Sequence, residues 1–384
     1  MKFPIYLDYH STTPVDPIVL EAMLPYFNEK FGNASSKSHS FGNEAAAAVD
    51  ISRETIANYL GVSKDEIIFT SGATESINLA LKGVAESSEK GKNRIISTNI
   101  EHGAAFDTLN YLSKFGFEIT LLEVNSEGLI SLDELGSAID EKTLLVSIIL
   151  ANNEIGVIQD LENISKICAD KNIPLHLDAS QAIGKVPINL THTPVDLLSF
   201  TAHKIYGPKG IGSLYIRNKT PRLKLSPQML GGGQEKGFRS GTLNVPGIVG
   251  LGRAISLLQK YDKEENKRIA ILRDKLLDGL TQQLDCAFVN GSIIHRLPNN
   301  LNIRFEGIPS DTLISNLKEI AVSTGSACSS QSGKVSRTLK AIGLSDEQVK
   351  SSIRFGIGRY TTEEEINFSI NLIVNQVNKL KNES

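Results

Sequence analysis

Between about residues 60 and 217 the chain alternates short β-branched apolar runs with longer stretches in which apolar positions recur every three or four residues. The runs at 67–70, 94–98, 118–122, 143–150, 174–177, 197–200 and 213–217 have the length and character of strands buried in a sheet. Helical periods fill 74–83, 103–115 and 161–171 between them. Strand, helix, strand repeated this often predicts a mostly parallel sheet covered by helices on both faces. A long helical stretch at 245–284, charged through KEENKR, predicts a bridge to a second unit. There, strands at 300–305, 320–323 and 352–355 with helices at 311–318 and 362–380 give an α+β composition. The fold class expected is therefore α/β, a large parallel-sheet domain followed by a smaller α+β C-terminal domain. No internal repeat or low-complexity tract interrupts this pattern.

One run ends more abruptly than the others. The apolar segment 195–200 stops at Thr201-Ala202-His203-Lys204, and Gly207, Pro208, Gly210 and Gly212 then read as a tight loop leading back into the strand 213–217. Lys204 thus stands at the carboxyl end of a buried strand, where open α/β sheets collect ligands. An amine whose pKa is lowered by burial condenses with carbonyl groups, which makes Lys204 the candidate Schiff-base lysine; a solvated surface charge is the commoner fate of a lysine.

Composition acts mainly by exclusion. A chain of 384 residues has material for two domains, each with its own core. Forty Lys and Arg residues are scattered among 43 Asp and Glu, for a net charge of −3, so no basic field for nucleic acid is expected. No window approaches the roughly 18 apolar residues that span a bilayer. The start, MKFPIYLDYH, lacks the long apolar centre of a signal peptide, so a cytoplasmic protein without membrane contact is expected. Cys168, Cys286 and Cys328 lie far apart, with neither metal-ligand spacing nor a disulfide framework, and no metal site is expected. Cys168 and Cys286 sit in apolar context. Cys328 instead lies in STGSACSSQSG, small polar residues that predict a mobile, exposed thiol able to attack as a thiolate.

Several polar groups join Lys204 at strand ends. Ser71-Gly72-Ala73-Thr74-Glu75-Ser76 follows the run 67–70 and opens a helix, so its amides can cradle a phosphate with the Thr74 hydroxyl as a further donor. An ordinary helix cap is the plainer reading. Asp178 suits a protonated pyridine nitrogen, or else a helix cap or a buried salt bridge. Asn153 in ANNEIG suits a ring oxygen or a substrate carboxylate, or simply a turn before Gly156. His102 can stack on a planar cofactor and exchange protons near neutral pH, or be structural. Phosphate cradle, acid, asparagine, histidine and lysine at the ends of one sheet form the set that pyridoxal phosphate requires.

The segments LDYHSTTP, FGNASS, FTSGATES, IEHGAAFDT, ANNEIGVIQD, LDASQAIGK, AHKIYGPKGIG, GGGQEKGFRSGT, STGSACSS and SSIRFGIGR, in this order, resemble the NifS/IscS-type cysteine desulfurases of the class V aminotransferase group, and the IscS branch most. The resemblance runs from Tyr6 to about Lys381. It implies the type I fold of pyridoxal-phosphate-dependent transferases, with a large domain over 16–258 and a small domain made of 1–15 and 259–384. By resemblance, Lys204 carries the cofactor, His102 stacks on it and handles protons, and Asp178 pairs with its ring nitrogen. Gln181 and Asn153 face the ring-oxygen side, and Ala73, Thr74, Thr201 and His203 hold the phosphate. Thr242 of RSGT reaches the phosphate of a neighbouring protomer, which implies a homodimer. Arg354 takes the substrate carboxylate as a two-pronged fork, and Cys328 receives sulfur from L-cysteine as a persulfide, leaving alanine.

Three departures qualify the match. After the cysteine loop this chain has Ser332-Gly333-Lys334-Val335-Ser336 where many relatives have Ser-Leu-Glu-Pro-Ser. Thr201-Ala202-His203 stands where serine and glycine are usual, although the threonine hydroxyl is kept. The sequence ends at Ser384 without the tail by which IscS relatives dock an iron–sulfur scaffold, so the sulfur acceptor, a scaffold or a tRNA-thiolation enzyme, stays open. A selenocysteine lyase or cysteine sulfinate desulfinase would use the same pocket, and a non-catalytic sulfur-relay partner is the alternative from another class.

Overall fold

The computed structural model describes residues 1–89, 91–218, 223–325 and 335–383. The strands, in chain order, are β1 (Ile5–Tyr6), β2 (Ile67–Thr70), β3 (Arg94–Thr98), β4 (Glu118–Leu122), β5 (Thr143–Ile149), β6 (Leu175–Asp178), β7 (Leu197–Thr201), β8 (Gly212–Ile216), β9 (Ala287–Val289), β10 (Asn300–Phe305), β11 (Ile320–Ala321) and β12 (Ser352–Gly356). Strands β2 to β8 form one sheet in the order β2-β8-β7-β6-β5-β3-β4. Every pairing in it is parallel except those of β8, which runs antiparallel to both neighbours. The cause lies in the tight loop after Lys204: a short connection returns the chain antiparallel, whereas a parallel return needs a crossover. Because β8 lies inverted between β2 and β7, the carboxyl ends of β2, β3, β5, β6 and β7 share one edge.

Every residue of β5, β6 and β7 is buried, as the uninterrupted apolar runs required. Two cores flank the sheet. One joins Ile148, Leu177, Phe200 and Tyr215 to the helix Ser40–Leu60 through Ala45, Val49 and Ile56; the other joins Ile95, Leu145 and Leu214 to the helix Ala73–Glu86 through Ile77, Leu81 and Val84. A third core collects Leu276, Leu301, Phe305, Ile353 and Ile373, and to it belong Ile5 and Leu7 from the N-terminus. In this region β9, β10 and β12 pair antiparallel, and β1 pairs with β11 in parallel.

The helix Val245–Thr281 is 37 residues long and spans both regions. Leu251, Ile255 and Leu258 pack in the first core, and Ile269, Leu272, Leu276 and Leu280 in the third. The bridge read from its periodicity is therefore present. The helix Ser40–Leu60 is a structural element that periodicity passed over, because its buried face is built largely of Gly42, Ala45, Ala48, Ser52 and Ala57. No helix among the described residues is long and apolar enough to cross a membrane.

Candidate active site

At the carboxyl edge of the large sheet lies a cavity of about 490 Å³. Ala73, Thr74, His102, Asn153, Asp178, Gln181, Thr201, His203, Lys204 and Arg354 all line it, joined by His10, Ser11 and Thr12 from the N-terminal segment.

The helix Ala73–Glu86 points its N-terminus into this cavity. Its cap residue, Gly72, offers no side-chain hydrogen bond, and the amides of a first helical turn have no partner within the helix. Gly72 has φ +154°, and a Cβ there would meet nothing nearer than Thr201 Oγ1 at 3.8 Å. Bare amides, a positive helix end and this open approach suit a phosphate group. Glu75, which also lines the cavity, accepts from Arg239 Nε at 2.8 Å and from the Ser71 amide at 2.8 Å. Across the cradle, Thr201 Oγ1 donates to the Ile211 carbonyl at 3.2 Å, and His203 Nδ1 meets Thr12 Oγ1 at 3.1 Å.

Lys204 follows β7 in a single 3-10 turn, Ala202–Lys204. Its Nζ donates to the carbonyls of His10 and Ser11, the latter at 2.8 Å. Burial, then the cations Arg354 and Lys185, push its pKa down to about 7 against the pull of Asp8 and Asp178. An amine with a substantial uncharged fraction near neutral pH is a nucleophile toward an aldehyde. Lys185, whose own pKa burial lowers to about 8, donates to the Lys204 carbonyl at 3.3 Å.

Asp178 closes β6 and is buried. Its Oδ1 accepts from the Ser180 amide at 2.9 Å and from Ser180 Oγ at 2.5 Å, which holds a turn; no helix starts here, so the helix cap weighed in the sequence is not what Asp178 makes. The carboxylate also lines the cavity, where a cationic ring nitrogen would compensate it. Gln181 is fixed at both ends by His10: its Nε2 donates to the His10 carbonyl at 3.0 Å, and its Oε1 meets His10 Nδ1 at 3.1 Å. Asn153 presents its backbone carbonyl to Arg354 Nη1 at 2.9 Å.

Arg354, on β12, is almost fully buried. Besides Asn153 it holds Asp8 Oδ1 and Ser11 Oγ, both at 2.8 Å from Nη2, while its Nε has no partner among the described residues. A carboxylate seated on Nη2 therefore competes with Asp8 and Ser11. Thr242 is exposed and lies outside this cavity. Cys328 lies outside the described residues; the stems leading toward it are Ser323, which pairs with Arg354, and Ser336, whose Oγ donates to Glu154 Oε2 at 2.5 Å. Cys168 and Cys286 are free and buried.

The residues that the sequence reading missed are Asp8, His10 and Ser11, which reach the lysine, the glutamine and the arginine across the fold, and Glu101. Glu101 is buried behind the strand ends, where its Oε1 accepts from Thr98 Oγ1 and the Ile149 amide, each at 2.8 Å. Burial raises its pKa to about 8. A polar residue just past a short apolar run was the available signal in both cases.

The set fits pyridoxal 5′-phosphate: uncapped amides for phosphate, a buried amine of lowered pKa for the aldehyde, and a strand-end carboxylate for the ring nitrogen. Residues 5–368 match the model of the class V aminotransferase family. The chain is 50% identical over 381 residues to the cysteine desulfurase IscS of Anaeromyxobacter sp. strain Fw109-5, covering 99% of this chain and 94% of that protein. It is 51% identical over 383 residues to the cysteine desulfurase IscS of Dechloromonas aromatica strain RCB, with the same coverage. Among solved structures, a NifS-like protein superposes with a TM-score of 0.90 at 42% identity, over 97% of this chain and 98% of its own. The structure of SspA in complex with cysteine gives 0.82 at 35% identity, over 93% and 100%. The fold, the strand-end site and these full-length likenesses agree: the chain belongs to the class V aminotransferase family, among the cysteine desulfurases of the IscS type.

Proposed function

We propose that the protein is a cysteine desulfurase that converts L-cysteine to L-alanine and collects the sulfur as a persulfide on Cys328. The observation that carries this reading is Lys204, a buried amine whose pKa is lowered to about 7, in one cavity with the phosphate cradle, Asp178 and Arg354. When bound, pyridoxal phosphate supplies an aldehyde for the amino group of cysteine and a ring that accepts the electron pair released at its α-carbon.

The chain's own residues supply the rest. The amides of Ala73 and Thr74, with Thr201 and His203, hold the phosphate. Asp178 keeps the proton on the ring nitrogen, and Gln181 and Asn153 face the ring-oxygen side. Arg354 seats the substrate carboxylate, for which its planar fork is suited. Lys204 takes the α-proton, and His102 faces the substrate sulfur. The Cys328 thiolate attacks that sulfur; an S–S bond forms, the substrate C–S bond breaks, and the three-carbon remainder gains protons and leaves as alanine.

The separate core that unites Ile5 and Leu7 with Leu276 and Phe305 supports a division into 16–258 and a second body of 1–15 with 259–384. A homodimer in which Thr242 serves the partner's phosphate site is supported by the exposure of Thr242 outside this chain's own cavity and of Leu230, 84% exposed, close to it in sequence. We place the enzyme in the cytoplasm, passing sulfur to an iron–sulfur scaffold or a tRNA-thiolation enzyme.

Replacing Cys328 by serine tests the reading. The variant should keep the cofactor's absorbance and its change on adding cysteine while forming neither persulfide nor alanine. Alanine and sulfide production surviving at the wild-type rate would refute the role given to Cys328.

A further inference from the structure

Among the described residues two carboxylates line the cavity at the sheet edge, Asp178 and Glu75. Asp178 has a cationic ring nitrogen to meet, and Glu75 has none. Glu75 stands at the third position of the helix Ala73–Glu86, next to Thr74, and its Oε2 accepts from the Ser71 amide at 2.8 Å, so it lies beside the bare amides of the cradle. Burial would raise its pKa, but hydrogen bonds from Arg239 and from Ser71 outweigh burial and hold it below the ordinary value, leaving an anion at neutral pH. An anion at this place offsets the positive helix end that attracts a phosphate.

Arg239 answers that charge from behind. It is not among the residues lining the cavity; its Nε donates to Glu75 Oε1 at 2.8 Å and its Nη2 to Oε2 at 3.4 Å. Both side chains are mostly buried, so salt screens this pair less than one at the surface. Arg239 is itself held in place. Its backbone bridges to Met229, the Gly241 amide donates to Gln234 Oε1 at 2.8 Å, and Glu235 is fastened by Arg53 Nη2 at 2.6 Å and by the Phe69 amide at 2.7 Å. Phe69 belongs to β2, the strand that runs into the cradle, so guanidinium and carboxylate are fixed on one frame.

We propose that Arg239 is a positioning residue for the cofactor: by engaging both oxygens of Glu75 it cancels a charge that would otherwise repel the cofactor phosphate. Glu75 contributes the hydrogen bond that shapes the turn at Ser71, and Arg239 removes the penalty its charge would impose on the anion bound alongside. The inference rests on the phosphate cradle and the cofactor fit described above, not on the sulfur chemistry.

The test measures, by absorbance titration, the affinity for pyridoxal 5′-phosphate of apoprotein prepared from the holoenzyme. Wild type, Arg239→Gln, Glu75→Gln and the double variant are compared, with pyridoxal, which lacks the phosphate, as the second ligand. Glutamine at position 75 still accepts from the Ser71 amide, as glutamine does in a capping box. Arg239→Gln leaves the carboxylate uncompensated and should weaken pyridoxal phosphate by about tenfold or more, whereas Glu75→Gln should bind it at least as tightly as wild type. The double variant should recover to within about threefold of wild type. Pyridoxal should bind all four proteins alike. Were the pair only a strut, removing either partner would break it, and Glu75→Gln would lose about as much as Arg239→Gln; that outcome overturns the proposal. So does a double variant as weak as Arg239→Gln, or an equal loss for pyridoxal, which would mark a damaged fold. Cofactor uptake is read before any sulfur chemistry, so a failure of the desulfurase reading leaves these outcomes unchanged. Wild-type apoprotein that bound pyridoxal phosphate no more tightly than pyridoxal would remove the phosphate cradle and the proposal with it.

Discussion

Glutamine in place of Glu101 should make the protein more stable as the pH rises, relative to wild type. Both donors to this carboxyl, Thr98 Oγ1 and the Ile149 amide, meet Oε1, and Oε2 is buried without a partner among the described residues. An ionised oxygen left bare in the interior costs several kcal/mol, so the proton rests there, and the pKa is raised from 4.5 to about 8. Between those two values the folded state holds a proton that the unfolded chain has released. The stabilisation by Glu101 is therefore complete below about pH 4.5 and is lost as the pH climbs toward 8. At about 1.36 kcal/mol per pKa unit, the 3.5 units between 4.5 and about 8 set a ceiling of roughly 5 kcal/mol. Glutamine copies the shape, accepts at the same oxygen and never ionises. Urea unfolding of cofactor-free wild type and Glu101→Gln at several pH values should show the variant gaining steadily on wild type between about pH 5 and 8. A difference that stays flat across this range would refute the argument that Glu101 is buried as a neutral acid.

Gly212→Ala should loosen the phosphate cradle, since a Cβ at that position would lie 2.6 Å from both the Gly72 Cα and the Phe200 carbonyl, backbone on either side. Overpacking of this kind costs about 1–3 kcal/mol, and cofactor affinity measured by absorbance titration should fall more than about tenfold; unchanged affinity would show that the strand gives way elsewhere. Arg354→Lys keeps the charge but not the planar fork that holds Asp8, Ser11 and Asn153. The KM for cysteine should rise roughly 10–100-fold with a smaller change in kcat, and an unchanged KM would remove the carboxylate from Arg354. The rate at which apoprotein takes up pyridoxal phosphate should increase with pH through about 7, as Lys204 loses its proton, and then level off. A profile whose midpoint lies near that of an ordinary lysine would mean that the amine is not desolvated.

Local chemistry made most of the large sheet legible. Strands buried on both faces must be continuous apolar runs, so β2, β3 and β5 to β8 could be read within a residue or two from where those runs begin and end; β4, at the edge of the sheet, is mostly half-buried or exposed although its run was read as buried. The same logic placed Lys204, Asp178, His102 and the Gly72-Ala73-Thr74 turn at strand ends, because a polar cluster directly after such a run has nowhere else to be. The helix Ser40–Leu60 escaped because small residues on its buried face weaken the periodic signal. What tertiary structure alone decided is which distant groups meet. Nothing in LDYHSTTP specifies that the His10 carbonyl accepts from Lys204 while its ring holds Gln181, or that Asp8 pairs with Arg354 some 346 residues along the chain. Those contacts arise because Ile5 and Leu7 are drawn into the C-terminal core, which carries the following residues into the lining of the site. Protonation states belong to the same class: sequence names a glutamate or a lysine, and only the water excluded around it, with the donors that face it, determines whether it carries charge.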